Sequence, residues 1–260
     1  MTTNFDVPSD WFETFFTGPA NRFWEAMVPP AATAADAAFI IRHLDVSPPA
    51  RIVDAPCGAG RHALALARQG FRVTGVDISQ DALARAAEAA EGEHLPATFL
   101  RADMRRLPIG EPADGIISMG NSISYFDADG TRALFESFAK ALRHGGRLVI
   151  DTGCCAESVL PNLQTERTFA FDGGSDRAET FYDPVASVLK TRAELRLGED
   201  IHALRYAHRI VTTGELVREL DAAGLETLGL YRDVDDNEFV VGAPRLLLVA
   251  CRRESNTLLH

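Results

Sequence analysis

Three aspartates, each following a short apolar run, are the residues best placed to do chemistry. Asp54 follows Ile52-Val53, Asp77 closes the run Phe71 to Val76, and Asp103 comes soon after Ala97 to Leu100. Between the first two lies a loop of small residues, Pro56-Cys57-Gly58-Ala59-Gly60. Gly58 and Gly60 have no Cβ, so the backbone there can turn sharply and come close to a ligand. A helix opening beyond them would offer unpaired N–H groups and a partial positive charge to a carboxylate or phosphate. Asp77, seventeen residues past Gly60, can accept two hydrogen bonds from ribose hydroxyls. These groups together suit an adenosine-containing ligand that also carries an anionic group.

The elements that must position them form a βαβ unit. A strand at Ile52-Val53 leads through the glycine loop into a helix whose apolar face is Ala63, Leu64, Leu66 and Ala67, and a second strand ends on Asp77. Gly58-x-Gly60-x-x-Ala63 also satisfies the dinucleotide fingerprint, so the loop alone leaves a nicotinamide cofactor open. The surrounding segments narrow the choice. VDAPCGAGRHALALA, then VTGVDIS, LRADM and LRHGGRLVIDT, resemble in order and spacing the class I S-adenosylmethionine (SAM)-dependent methyltransferases. The resemblance is close over residues 51–152 and looser over 213–252. One departure is Pro56, where the family often has glycine, and it stiffens the loop.

That resemblance implies roles for particular residues. Asp54 and the backbone of Cys57, Gly58, Ala59 and Gly60 would hold the methionine moiety. Asp77 would take the ribose hydroxyls, with Ile78 beside the adenine. Asp103 would accept from the adenine amino group, and Met104 would add a backbone contact. The backbone at Met119 and Gly120 would meet the methionine amino group. SAM would be the cofactor and S-adenosylhomocysteine the product.

Composition sets limits. Apolar residues make up 46% of the 260 and charged residues 24%, as in ordinary globular proteins. A net charge of −11 with no basic run argues against a nucleic-acid partner, which would need clustered Lys and Arg. The first residues have neither a cationic start nor an apolar segment, and no run approaches the roughly 18 apolar residues of a membrane span, so a cytoplasmic protein is expected. Cys57, Cys154, Cys155 and Cys251 show no C-x-x-C spacing, so neither a metal site nor a disulfide scaffold is indicated.

The expected fold class is α/β, a Rossmann-like, seven-stranded, mostly parallel sheet with helices on both faces and an antiparallel β insertion after strand five. Residues 1–50 form an aromatic-rich helical cap, residues 51–155 and 212–253 the SAM-binding domain, and residues 156–211 an inserted lid. In the cap, Trp11/Phe15 and Phe12/Phe16 repeat at i, i+4, which predicts a short amphipathic helix, and Trp24 is the residue expected over the cofactor mouth. After the Pro29-Pro30 break a second helix is expected over 34–44.

Ser79 is a suitable N-cap for a helix over 81–90, and a helix over 130–142 should stop at His144-Gly145-Gly146. Strand five is expected over 147–151. In the insertion, strands are expected at 168–171, 179–182, 187–196 and 202–211. Thr212-x-x-Glu215 is a capping box for a helix over 215–223, and strands at 225–231 and 245–251 complete the sheet.

For the acceptor, Asn121, Ser122 and Tyr125 follow strand four at the ligand edge, while His202 and His208, six apart on one strand, share a face with Arg209 close by. Tyr125 and His208 are the catalytic candidates, and Trp24, Asn121, Ser122, His202 and Arg209 the substrate-binding ones. The expected function is methyl transfer to a small-molecule N, O or C nucleophile. The alternatives are an NAD(P)-dependent oxidoreductase or a non-catalytic SAM-binding regulator. Exposed strands of the insertion could pair edge to edge in a homodimer.

Overall fold

Two sheets organise the chain in a computed structural model that describes residues 5–16, 18, 21 and 28–254. In chain order the strands are β1 Arg51–Asp54, β2 Arg72–Asp77, β3 Ala97–Arg101, β4 Ala113–Ser118 and β5 Leu142–Thr152. The insertion supplies β6 Glu166–Phe171, β7 Gly174–Asp183, β8 Val188–Leu197 and β9 Asp200–Arg209, and β10 Leu225–Tyr231 and β11 Leu246–Arg252 follow. The main sheet has the order β10-β11-β5-β4-β1-β2-β3. The pairs among β1 to β5 are parallel, and β11 runs antiparallel between β5 and β10. Its central strands are buried on both faces, which is why Leu246 to Ala250 reads as an unbroken apolar run instead of alternating.

The α-helices with described bounds are α1 Phe12–Phe15, α2 Pro30–Leu44, α3 Arg61–Ala67, α4 Gln80–Gly92, α5 Ala128–Ala141, α6 Ala156–Val159 and α7 Thr213–Ala222. They cover both faces of the sheet. Phe39 and Ile40 of α2 and Leu66 of α3 pack with Ile52, Phe71 and Val149, while Phe135 and Phe138 of α5 and Leu216 of α7 pack with Val53, Val76 and Leu148. No helix among the described residues is long and apolar enough to cross a membrane.

The predicted N-caps act as such: Ser79 Oγ accepts from the Ala82 N–H and Thr212 Oγ1 from the Glu215 N–H. Three boundaries differ from expectation. Pro30 opens α2 at its first position instead of breaking the chain before it, because a first-turn residue needs no N–H and proline presets its φ. Helix α5 stops at Ala141, since Leu142 takes extended backbone and pairs with Ala113. The expected glycine stop therefore lies inside β5, at a register shift that next pairs Gly115 with Arg147. The i, i+4 aromatic pairs over residues 11–16 form the single turn of α1.

The insertion is an antiparallel meander in the order β6-β7-β8-β9. Strands β6, β7 and β9 begin earlier than the apolar pattern alone predicted, because cross-strand pairing extends through polar residues, while β8 is displaced by one residue. Helix α1 sits against β9, and the C-terminal ends of β1, β2 and β4 open toward the same region. That is the edge at which open parallel sheets bind ligands.

Candidate active site

The cavity at this edge has a volume of about 360 Å³. Its floor is the glycine loop. The Cys57 N–H donates to the Val76 carbonyl at 3.0 Å and the Gly60 N–H to the Cys57 carbonyl at 2.9 Å, folding the loop back over β2. Gly60 has φ +80°, and a Cβ there would come within 2.9 Å of Ala86 Cβ and 3.2 Å of the Phe99 ring. Gly58, at φ +52°, has open space where its Cβ would be. One glycine is thus required by packing and the other leaves room at the cavity wall.

Asp77 sits at the tip of β2, buried and lining the cavity. Its Oδ2 accepts the Gly58 N–H and its Oδ1 the Ser79 N–H, both at 2.8 Å. Burial raises its carboxyl above the ordinary range, against the pull of those amide bonds. Each oxygen retains a lone pair, so the acid can serve the loop and two hydroxyls together. A cradle without side chains at Gly58 beside a buried acceptor of this kind fits an adenosyl ligand.

The other expected cofactor residues divide. Cys57, Gly58, Ala59, Ile78, Asp103, Met104, Met119 and Gly120 line the cavity. Asp54 does not. It is 1% exposed and lies behind the loop, where Oδ2 accepts the Ala63 N–H at 3.1 Å and so anchors the start of α3. Its Oδ1 is buried without a partner among the described residues, and burial pushes the carboxyl up to about 8. Gly60 also stays off the cavity wall. Asp103 has turned toward Arg105, whose Nε and Nη2 donate to Oδ2 at 2.9 and 2.6 Å. Burial works to raise that carboxyl, but the Arg105 bonds hold it below its usual value. Arg105 in turn lies over the Phe126 ring at 4.5 Å.

Of the acceptor candidates, Asn121, Ser122 and Tyr125 line the same cavity. Asn121 Oδ1 accepts the Gly153 N–H at 2.8 Å, which fixes the amide's orientation. Tyr125 is enclosed by Trp11, Phe12 and Phe16, with ring centroids at 4.8, 6.0 and 5.7 Å, and burial raises its phenol well above the ordinary value. His208 lies behind Tyr125, 5.5 Å from its ring, and does not reach the cavity wall. Half-buried among Trp11, Tyr125 and Tyr206, its imidazole is pushed down to about 4 by that burial.

His202 shares the sheet face but stands six residues back along β9, away from the cavity wall. Arg209 is committed elsewhere, because its Nη2 donates to Glu215 and Glu219 at 2.8 Å each and ties β9 to α7. An acceptor contact for Arg209 gives way to this ion-pair role. Trp24 lies outside the described residues.

Residues the sequence did not single out for the site also line it: Phe12, Phe16, Arg61, His62 and Phe126. Arg61 could have been found from its place directly after the glycine loop. Phe12 and Phe16 carried only a packing signal. Their position comes from a tertiary contact, the Ser79 Oγ–H donating to the Phe16 carbonyl at 2.9 Å.

Comparison with known proteins finds similar features in methyltransferases. A family described as a methyltransferase domain matches residues 52–146. A glycine/sarcosine N-methyltransferase from Aphanothece halophytica is 27% identical over 219 residues, covering 81% of this chain and 82% of that protein. The CcbJ methyltransferase from Streptomyces caelestis shares the fold with a TM-score of 0.79 at 19% identity, covering 93% of this chain and 99% of that one. A SAM-bound amino pentose methyltransferase from Micromonospora echinaspora superposes with a TM-score of 0.66 at 20% identity, over 89% and 95% of the two chains. Nothing in these matches favours a nicotinamide enzyme or a non-catalytic protein. The family match spans the very residues that build the loop and carry Asp77 and Asp103, so residues 52–146 match a methyltransferase domain and the chain is similar to SAM-dependent methyltransferases across this site.

Proposed function

We propose that the protein methylates a nitrogen of a small-molecule acceptor, using SAM held by the glycine loop and Asp77. The observation that carries this reading is the covering of the cavity by the chain's own N-terminal aromatics. Phe12 and Phe16 line it, and the Ser79–Phe16 hydrogen bond pins that segment across the site. A chamber roofed in this way suits a small acceptor, and the net charge of −11 disfavours a polyanionic one. The relatives named for glycine, sarcosine and amino pentose support an amine. On this reading residues 156–211 form the part that selects the acceptor, since β9 carries Tyr206 and His208 against Trp11 and Tyr125.

When bound, SAM supplies a methyl group already activated on a sulfonium. What remains for the chain is alignment and exclusion of water, which can be worth roughly 7–11 kcal/mol in favourable cases. Phe12, Phe16, Tyr125 and Phe126 exclude water, and Asn121 and Ser122 offer polar contacts for orientation. Neither Tyr125 nor His208 is set up to take a proton at neutral pH: the phenol is held protonated and the imidazole is a weak base. An amine that enters in its neutral form needs neither.

The test is an acceptor screen with isotope-labelled SAM over small amines, hydroxy acids and phenols, read by mass spectrometry. Label on nitrogen supports the proposal. Label on oxygen or carbon, or turnover confined to a macromolecule, overturns it.

A further inference from the structure

A chain of charges links α2 to the cavity, and none of its members belongs to the glycine loop or to Asp77. Asp36, on α2, is 4% exposed. Arg245 Nη2 donates to its Oδ1 at 2.8 Å, while His62 Nε2 and Arg61 Nη1 donate to its Oδ2 at 3.1 and 3.2 Å. Arg245 continues through Nε to Asp151 Oδ1 at 2.8 Å, and Asp151 Oδ2 accepts the Gly120 N–H at 3.2 Å. The linkage therefore runs from α2, through the residue before β11 and the end of β5, to the peptide that follows β4. Both of its ends are cavity wall, since Arg61 and Gly120 line the site.

The two ends match the ligand's remaining charges. SAM carries an ammonium and a carboxylate at its amino-acid end, beyond the ribose that Asp77 would take. Arg61 is the one guanidinium or ammonium among the described lining residues, and its Nη1 is fixed by both Asp36 and Thr33. His62 adds no charge at neutral pH, because burial lowers its imidazole despite the Asp36 contact. Gly120 has φ +95°, a conformation that leaves its peptide orientation to be set by its partners. Asp151 supplies one.

We propose that Asp36, Arg245 and Asp151 act as a positioning brace that holds Arg61 for the carboxylate and the Gly120 peptide for the ammonium of the cofactor. The proposal deepens the reading of the cavity as a SAM site and rests on it. Arg245 is the keystone, because among the described residues it alone bridges the buried Asp36 carboxylate and the partly buried Asp151 one. Without it Asp36 keeps only Arg61 and His62 and Asp151 only the Gly120 N–H, and two carboxylates left without the guanidinium between them force their surroundings to shift.

The test compares two probes by calorimetric titration. S-adenosylhomocysteine has both charged groups, whereas 5′-methylthioadenosine keeps the adenosine and sulfur without them. Arg245→Met, Asp36→Asn and Arg61→Gln are expected to weaken S-adenosylhomocysteine by about tenfold or more while 5′-methylthioadenosine changes by less than about threefold. Equal losses for both probes, or no loss for either, would overturn the brace. Should Arg245→Met fail to fold by circular dichroism, Arg61→Gln decides, since that side chain is 37% exposed and its truncation leaves the core intact. Wild-type protein that binds neither probe would overturn the cofactor reading and the brace together. Wild-type binding of both, with unselective losses in the variants, overturns the brace alone.

Discussion

The Asp77 carboxylate holds the Gly58 amide at 2.8 Å, so the acid at the end of β2 sets the shape of the loop at the end of β1 before any ligand arrives. Its second oxygen holds the Ser79 amide and so the start of α4. Asp77→Ala strips acceptors from two backbone donors and from the ribose together. Losing buried charged hydrogen bonds of this kind costs about 2–4 kcal/mol, so S-adenosylhomocysteine binding is expected to weaken by about thirtyfold or more. Calorimetry checks this directly. Affinity within threefold of wild type would remove Asp77 from the cofactor site.

The two loop glycines should respond differently to the same substitution. Gly60→Ala places a Cβ 2.9 Å from Ala86 at a φ of +80°, so it meets both a steric clash and backbone strain. Gly58→Ala meets the strain alone, at φ +52° with nothing within 4 Å. Urea denaturation is expected to show a loss of about 1–2 kcal/mol for Gly58→Ala and clearly more for Gly60→Ala. The order should reverse for ligand binding, where Gly58→Ala fills cavity space. Equal losses of stability would mean that the Ala86 and Phe99 side chains yield freely.

This contrast marks how far the sequence could be read. The loop, Asp77 and the succession of strands along the chain were legible because local constraints impose them: φ at Gly58 and Gly60, the apolar runs of strands buried on both faces, and the acid at a strand tip. Asp54 looked like a ligand residue by position, but only the packing of α3 shows that its carboxylate points to the Ala63 amide. Arg209 and His202 shared a strand with His208, and alternation cannot tell how far along that strand the cavity extends. The Asp36–Arg245 contact spans 209 residues, and neither partner carries a local pattern that points to the other.

Asp54 should make the unliganded protein sensitive to alkaline pH. Its carboxyl lies near 8 in the folded chain, chiefly through burial, against about 3.9 in an unfolded one. The folded state thus keeps a proton that the unfolded state has lost. The stability this contributes is complete below about pH 4 and is lost as pH rises toward 8, by at most about 6 kcal/mol. Asp54→Asn keeps an oxygen for the Ala63 N–H and has no proton to lose. Its stability relative to wild type is expected to rise between pH 5 and pH 9 in denaturant titrations. A difference that stays constant across that range would show that Asp54 ionises normally.

His208 gives the opposite slope. Its imidazole is lowered to about 4 by burial among Trp11, Tyr125 and Tyr206, whereas an unfolded histidine titrates near 6.5. Above pH 6.5 both states are neutral and the contribution is complete. As pH falls from 6.5 toward 4 the unfolded chain takes up the proton first, and as much as about 3 kcal/mol is lost. His208→Phe is expected to flatten this acid-side decline. The same displacement separates a packing role from a basic one, because a histidine near 4 gives no acid limb to kcat/KM between pH 5.5 and 7.5. If the wild-type profile shows a limb near 6.5 and His208→Gln abolishes it, the imidazole is exposed to the acceptor and acts as the base. An unchanged profile with a smaller kcat leaves His208 as the support that holds the Tyr125 ring against the cavity.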